Sequence, residues 1–398
     1  MSTPSRPPLL PREPAARVAY LALLAFVAAL QFSLFAAQSI ALPIMLLAWA
    51  VMLWTGKSRA EAPPIFWPLV AYGAVTLLSA AFSRDLRTSL VDCKQLVLFV
   101  IVPAVYVLAP QRRASGVLNV AISAGAISAI VGVIQYGVFA YDTLGKRPLG
   151  FLGHWMTYSG LLMLVITATA ARLLYERRDR VWPALVLPAL VAAVALTLTR
   201  SAWVGTCAGI GVLLLLKDFR LVAVLPLVAA LAFMVAPASV AGRVYSMFNL
   251  QDETNRDRLA MLKAGAAIVR QHPLLGVGPN MVEVVYPVYR TPDAVKPAQP
   301  HLHNVPMQIA AERGLPALAV WGWFIVTAIV QLARKLRTSN RPFLAAAGLG
   351  AVAAMLTAGL FEHNFGDSEF LMLFLVMITL PFASDREEAP VTAPPASS

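Results

Sequence analysis

The sequence predicts an all-α polytopic integral membrane protein, with about 12 transmembrane helices and one long segment outside the membrane that carries short helices. Of its 398 residues, 59% are hydrophobic and only 13% are charged, whereas soluble domains carry about 25% charged residues. Apolar runs of roughly 15–22 residues recur along the chain, and each is close to the length that crosses a bilayer. The alternating segments typical of β-barrel strands are absent.

The apolar runs define the predicted domain organisation. A tail (1–17) precedes nine helices (18–238), a long loop segment (239–313), three more helices (314–383) and a disordered tail (384–398). The first run is longer than the apolar core of a signal peptide, so we expect it to remain as an anchor. The predicted spans are 18–37, 40–54, 64–83, 91–108, 114–139, 154–174, 182–199, 202–216, 221–238, 314–333, 342–360 and 369–383.

The distribution of Lys and Arg predicts that both termini are cytoplasmic. In that orientation more than half of the 32 basic residues lie in inner tails and short loops, and the long segment 239–313 lies outside. The short outer loops hold only Arg84, Arg87, Lys94, Lys146, Arg147 and Arg200. All five histidines fall on or near the outer face, so a reaction centre would face outward; they are His154, His272, His301, His303 and His363.

The arrangement of basic residues and cysteines argues against nucleic-acid binding and against a zinc or redox site. The net charge of +12 is not arranged as a basic stripe with interleaved aromatic residues, which argues against nucleic-acid binding. The two cysteines, Cys93 and Cys207, have neither CxxC nor zinc-site spacing and are interpreted as packing residues.

Arg200 lies in LTLTRSAWVG, between two apolar runs and therefore at the outer membrane boundary. One interpretation is an interfacial arginine that reaches the lipid headgroups. The other is an arginine facing a cavity, where a planar guanidinium binds phosphate through two parallel hydrogen bonds.

The stretch 252–280 predicts a helix that lies along the membrane surface from about residue 256 to 270. Leu259, Leu262, Ala266 and Val269 supply an apolar face, and a proline follows the end of the helix. Its basic residues could meet anionic lipids or a substrate; they are Arg256, Arg258, Lys263 and Arg270. GVGP (276–279) predicts a turn, with too few glycines for a nucleotide-binding loop.

QPHLHNVPMQIAAERGLPAL (299–318) holds the densest polar cluster. Asn304, followed by a proline two residues later, predicts the start of a short helix, on which Gln308 and Glu312 share a face. A glycine and a proline then bend the chain where the tenth span begins. His301 and His303 fall on one side of an extended chain, and a neutral imidazole can take a hydroxyl proton near pH 7.

A metal site is not expected in this cluster, because stable sites need three or four ligands and no nearby Cys or Asp completes one. A further polar stretch, EHNFGD (362–367), lies between the last two predicted spans. It is interpreted as an ordinary loop; the alternative is that it supports the site by orienting His303.

Three stretches together resemble the O-antigen ligase family, which shares a superfamily with O-antigen polymerases. They are TLTRSAW (197–203), RLAMLKAGAAIVRQHPLLGVGPN (258–280) and HNVPMQIAAERGLPAL (303–318). The last is similar to the family's His-Asn, Gln and Glu-x-Gly pattern. The resemblance implies an inverting, metal-independent glycosyltransferase without a cofactor, which moves a glycan from undecaprenyl diphosphate to lipid A–core. Its place would be the bacterial inner membrane, with the active site on the periplasmic face, so that segment 239–313 would be periplasmic.

Carried over residue by residue, the resemblance implies that Arg200 and Arg258 bind the donor diphosphate, with Arg256 as a rival for Arg258. It implies that His303 acts at the acceptor hydroxyl. His301 and the polar residues that follow it would support the site; those residues are Asn304, Gln308 and Glu312.

Three alternatives stay open at this stage. A polymerase or a protein O-oligosaccharyltransferase would use the same donor with another acceptor. A lipid-linked glycan transporter would use the arginines only for binding. Transporters place polar groups near the bilayer midplane, often in repeated halves, whereas here no repeat is found and the polar residues lie at the outer edge.

Overall fold

The computed structural model describes residues 10, 11, 13–234, 236–249 and 251–386, and in these ranges it contains helices but no strand. Parts of both predicted tails (1–17 and 384–398) lie outside the described residues. The α-helices are α1 (Pro14–Ala29), α2 (Leu42–Trp54), α3 (Phe66–Ala81), α4 (Leu86–Asp92), α5 (Ile101–Leu108), α6 (Arg112–Gly137), α7 (Trp155–Tyr175), α8 (Val181–Leu196), α9 (Arg200–Lys217), α10 (Val224–Met234), α11 (Ala238–Tyr245), α12 (Glu253–Gln271), α13 (Val282–Tyr289), α14 (Val305–Thr338), α15 (Pro342–Ala358) and α16 (Ser368–Ser384).

Each of the predicted spans coincides with an apolar helical stretch. Among the described residues, 6 helices are long and apolar enough to cross a membrane: Ala36–Trp54, Leu86–Leu108, Arg112–Gly137, Trp155–Tyr175, Arg200–Lys217 and Val305–Thr338. The other spans match shorter apolar helices. The architecture is thus all-helical and consistent with a polytopic membrane protein, while the number of twelve crossings stays a prediction.

The helix at the first predicted span, 18–37, ends earlier than predicted. Helix α1 ends at Ala29, and a π-helical turn at Ala36–Ala41 leads into α2. The hydroxyl of Ser33 accepts a hydrogen bond from the backbone N–H of Ala36 at 3.3 Å. A serine in this position stabilises the start of a new helix, which explains why the apolar run does not form one helix.

Helices α7, α15 and α16 form the centre of the bundle. Every residue of α16 from Phe370 to Ser384 is buried, as expected for a helix that is apolar on all sides. Helix α9 packs closely on this centre through Gly205 and Gly209. A Cβ atom on Gly209 would lie 3.0 Å from the carbonyl oxygen of Gly350 in α15. Small residues four apart permit such close helix contact, and this contact fixes the position of Arg200, the first residue of α9.

The segment between α10 and α14 carries the short helices α11, α12 and α13, as predicted. Helix α12 begins at Glu253 and ends at Gln271, close to the predicted bounds. The face that packs on the protein carries Ala260, Ala264 and Ile268, which are buried, whereas Leu259 of the predicted apolar face is 53% exposed. Val269 of the predicted apolar face packs partly against the buried cluster of this segment, and the contact of that face with the membrane surface stays a prediction.

Helix α14 is broken at Gly314, where φ is 82° and ψ is 171°. The break releases two carbonyl groups from the helix. The N–H of Leu315 would normally bond to Ala311 but donates instead to Pro273 at 2.8 Å, and Pro316 has no N–H to offer Glu312. The short helix before the break, Val305–Arg313, was predicted from Asn304 and the Gly-Pro pair.

The predicted GVGP turn (276–279) satisfies the released carbonyls. The N–H of Val277 donates to Ala311 at 3.0 Å, and that of Gly278 donates to Glu312 at 2.9 Å. The approach is so close that a Cβ on Gly276 would lie 2.3 Å from the carbonyl carbon of Glu312. Buried carbonyls need a partner, so the turn and the broken helix stabilise each other.

We predict that Gly314→Ala destabilises the protein by about 2–4 kcal/mol, because it forces a positive φ on alanine and creates a clash. The new Cβ would lie 2.1 Å from the carbonyl oxygen of Leu274. Gly322→Ala in the same helix is the matched control, since nothing lies within 4 Å of its Cβ position. Thermal unfolding in detergent measures both, and equal midpoints for the two variants would contradict the prediction.

Candidate active site

A loop at residues 299–304 leads into α14 and carries His301 and His303. The side chain of Asn304 caps α14 by accepting from the N–H of Met307 at 2.9 Å and donates to the carbonyl of Leu360 at 3.0 Å. The Gln308 side chain accepts from the N–H of Leu302 at 2.7 Å. Two of the residues predicted to support the site therefore hold the histidine loop in place.

His303 forms a hydrogen bond with Glu362, which lies in the loop between α15 and α16. Its Nδ1 lies 2.9 Å from the Glu362 Oε1 atom, and its backbone adopts a φ of 47°, which is uncommon outside glycine. Burial acts to raise the pKa of Glu362, but the hydrogen bond and charge of His303 prevail and lower it to about 2. Of the two interpretations of EHNFGD, the structure favours the one in which this stretch orients His303.

His301 and His363 complete a cluster of imidazole rings. The ring of His301 lies 4.1 Å from that of His303 and 5.4 Å from that of His363, between centroids. Burial, followed by the charge of His303, lowers the pKa of His301 to about 4. Burial, followed by the charge of His301, lowers that of His363 to about 3. Both rings are therefore neutral bases near pH 7. His272 lies elsewhere, at the end of α12 beside Tyr289.

A cavity of about 230 Å³ opens against this cluster and is called the Ser201 cavity below. Its walls come from the starts of α7 and α9, the end of α15 and the EHNFGD stretch. The lining includes His154, Thr157, Thr199, Ser201, His301, Glu362 and His363. The residues on either side of Arg200 line the cavity, and His303 reaches the same wall through Glu362 and the ring of His301.

Arg200 is buried, at 5% exposure, so it does not extend to lipid headgroups as the interfacial interpretation expected. Its guanidinium donates to the carbonyl of Ser246 at 2.9 Å and pairs with Asp252 at 3.2 Å. Burial acts to raise the pKa of Asp252, but the charge of Arg200 prevails and lowers it.

Arg258 and Arg256 occupy different sides of α12, since residues two apart point in nearly opposite directions on a helix. Arg256 is exposed. Arg258 lies over the ring of Phe361 at 5.9 Å. Burial lowers the pKa of Arg258, and Arg200 adds to this effect while the charge of Glu362 opposes it. Arg258 therefore lies between the arginine side of the site and the His303–Glu362 pair.

Arg147 and Arg243 join the same positive cluster, although neither lies in a stretch that the sequence marks as a site. Burial, followed by the charge of Arg200, lowers the pKa of both, and that of Arg243 falls to about 10. Arg243 donates to the carbonyl of Leu198 at 3.3 Å. The backbone of Leu198 has a φ of 54°, so strain accumulates beside Arg200. Four arginines with so few neighbouring carboxylates favour an anion.

Three side chains offer ligand atoms to a metal ion. Atoms of His301, His303 and Glu362 lie within 4.8 Å of one another. Glu362, the third ligand, lies 59 residues from His303 in the chain, so no spacing in the sequence connects it with the two histidines. Three protein ligands suffice for a catalytic zinc site, but a metal would compete with the hydrogen bond between His303 and Glu362.

Residues 183–322 match the model of the O-antigen ligase family. Over this part, the chain is similar to that family. The match includes Arg200, Arg243, Arg258 and His303, and it ends before Glu362. No curated protein matches the chain. The family resemblance noted from the sequence is thereby confirmed.

We predict that acidification from pH 7 to pH 5 lowers the stability of the protein through His301 and His363. Both have folded-state pKa values below the ordinary value of 6.5. The unfolded chain therefore binds more protons in this window, and the free energy of unfolding decreases as the pH is lowered. Each contributes at most about 1.4 kcal/mol per pH unit. The Glu362 pKa, lowered from 4.5, affects stability only below this window.

Thermal unfolding at pH 7, 6 and 5 tests this effect. The double variant His301→Gln with His363→Gln should show a smaller fall in midpoint than the unmodified protein. An unchanged dependence on pH would contradict the prediction.

Proposed function

We propose that the protein is an O-antigen ligase, which transfers a glycan from undecaprenyl diphosphate to a sugar hydroxyl of lipid A–core. The reaction would be inverting, independent of metals and cofactors, and located at the periplasmic face of the bacterial inner membrane. The observation that carries the proposal is the His303–Glu362 pair beside an arginine cluster, in which Arg200 is buried and Arg243 and Arg258 are partly buried. The family match over residues 183–322 supports it.

The donor side of the reaction belongs to the arginines. The bond between the anomeric carbon and the diphosphate oxygen breaks, and negative charge grows on the leaving diphosphate. Positive groups fixed in a poorly hydrated site stabilise this growing charge more than the ground state. We assign Arg200 and Arg258 to this role. Because Asp252 now pairs with Arg200, a bound diphosphate would compete with that carboxylate.

The acceptor side belongs to His303. An acceptor hydroxyl attacks the anomeric carbon from the face opposite the diphosphate, and its proton passes to the Nε2 atom of His303. Glu362 accepts from Nδ1–H, which holds the ring in the tautomer with a free Nε2 and stabilises the imidazolium that forms. Base catalysis of this kind contributes about 10²–10⁴ in rate.

The test of the proposed function uses purified protein in EDTA with undecaprenyl-diphosphate-linked polysaccharide and lipid A–core. We expect glycan on lipid A–core, and a loss of about 10³-fold in rate for folded His303→Ala. A longer glycan still attached to the carrier would instead indicate a polymerase, and glycan on protein an oligosaccharyltransferase. Activity lost in EDTA and restored by Zn²⁺ would overturn the metal-independent mechanism.

A paired substitution separates the two arginines of α12. Arg258→Ala should reduce the transfer rate about 10²–10³-fold, the usual cost of removing one group that stabilises a developing anion. Arg256→Ala, on the exposed side of the same helix, should change the rate less than threefold, about the effect of a surface substitution. Initial rates with saturating acceptor measure both. A larger loss for Arg256→Ala than for Arg258→Ala would show that Arg256, and not Arg258, contacts the donor.

A further inference from the structure

A second cavity lies on the other side of the histidine cluster and is called the Arg313 cavity. Its volume is about 180 Å³, several times the roughly 30 Å³ that one water molecule occupies in the liquid. It shares His301, His363 and Gly366 with the Ser201 cavity. The histidine cluster is therefore a common wall with one cavity on each side.

Polar groups in the Arg313 cavity lack partners. Arg313 is 7% exposed and pairs with Asp92 and Glu312, each at 2.7 Å. Its Nε atom is buried without a hydrogen-bond partner among the described residues, as are the Nδ1 atoms of His301 and His363. Buried polar atoms without partners are uncommon in native proteins, so these three point to a ligand with both donors and acceptors.

The remaining lining matches a neutral sugar. Rings of Tyr72, Phe99 and Phe365 form an aromatic wall, with Tyr72 6.1 Å from Phe365 in an edge-on arrangement. Apolar rings with a few placed polar groups are typical of small-molecule sites. The Asp92 side chain keeps 28% exposure and can accept from a hydroxyl group.

The two cavities have different arginines beside them. The Ser201 cavity is lined by the carboxylates Glu362 and Asp367 and by Thr199 and Ser201, the two neighbours of Arg200. The Arg313 cavity holds two carboxylates, Asp92 and Glu312, and its one guanidinium is already paired with both. A diphosphate would be repelled by these carboxylates, and a hydroxyl-rich neutral ring would not. We propose that the Arg313 cavity binds the acceptor sugar, so that donor and acceptor approach the histidine cluster from opposite sides. This inference rests on the proposed function and adds an acceptor site to it.

Two conservative variants test the acceptor site by kinetics. Tyr72→Phe and Thr76→Val each remove one hydroxyl from the cavity lining, and each should raise the KM for lipid A–core about three- to tenfold, the value of one neutral hydrogen bond. The KM for the donor should not change. Tyr106→Phe is the control, because its ring lies against Arg386 at 5.7 Å and lines neither cavity.

Cys93 allows a test of binding that does not require turnover. Its side chain lines the Arg313 cavity, and Cys207, the other cysteine, can be removed as Cys207→Ser. Lipid-free core oligosaccharide should slow modification of Cys93 by methyl methanethiosulfonate, while undecaprenyl diphosphate should not.

The outcomes separate this inference from the proposed function. Protection of Cys93 by a lipid-linked repeat unit, with none by core oligosaccharide, would keep the sugar site but replace the ligase with a polymerase. If transfer to lipid A–core proceeds while neither glycan protects Cys93 and both variants keep the KM of the unmodified protein, the cavity contains only water and the inference is wrong.

Discussion

The break of α14 at Gly314 is the constraint on which the rest of the site depends. It frees the carbonyls of Ala311 and Glu312, and the turn at 276–279 satisfies both. That contact holds the end of α12, and with it Arg258, close to the short helix that Asn304 begins. A continuous helix would leave the turn without its partners and would separate the arginines from the histidine loop. Backbone hydrogen bonds that lie away from the proposed reacting atoms therefore hold the site together.

The site brings together chemically different groups from separate parts of the chain. Arg200 begins α9, Arg258 lies on α12, His303 precedes α14, and Glu362 follows α15. Burial gives these groups their properties. The low dielectric strengthens the interaction of the arginines with an anion, and it keeps His301 and His363 neutral. The proposed glycosyl transfer would use both groups, because the leaving diphosphate gains negative charge while the attacking hydroxyl loses a proton.

The sequence predicted those features that depend on neighbouring residues. Asn304 and Pro306 predicted the start of a helix, and Gly314 and Pro316 predicted a bend. The resemblance to the family selected His303. What it could not predict depends on contacts between distant residues. Glu362 lies 59 residues from His303, and no spacing rule connects them. The face of α12 that packs on the protein could not be predicted, because apolar periodicity does not distinguish a side packed on protein from a side left outside it.

The most direct test of this account is a double-mutant cycle between His303 and Glu362, measured as the single-turnover rate of glycan transfer. Glu362 acts only through His303 in this mechanism, so the variant with both His303→Gln and Glu362→Gln should be no slower than His303→Gln alone. If the two losses multiply instead, Glu362 has an independent role and the His303–Glu362 pair is not the base of the reaction.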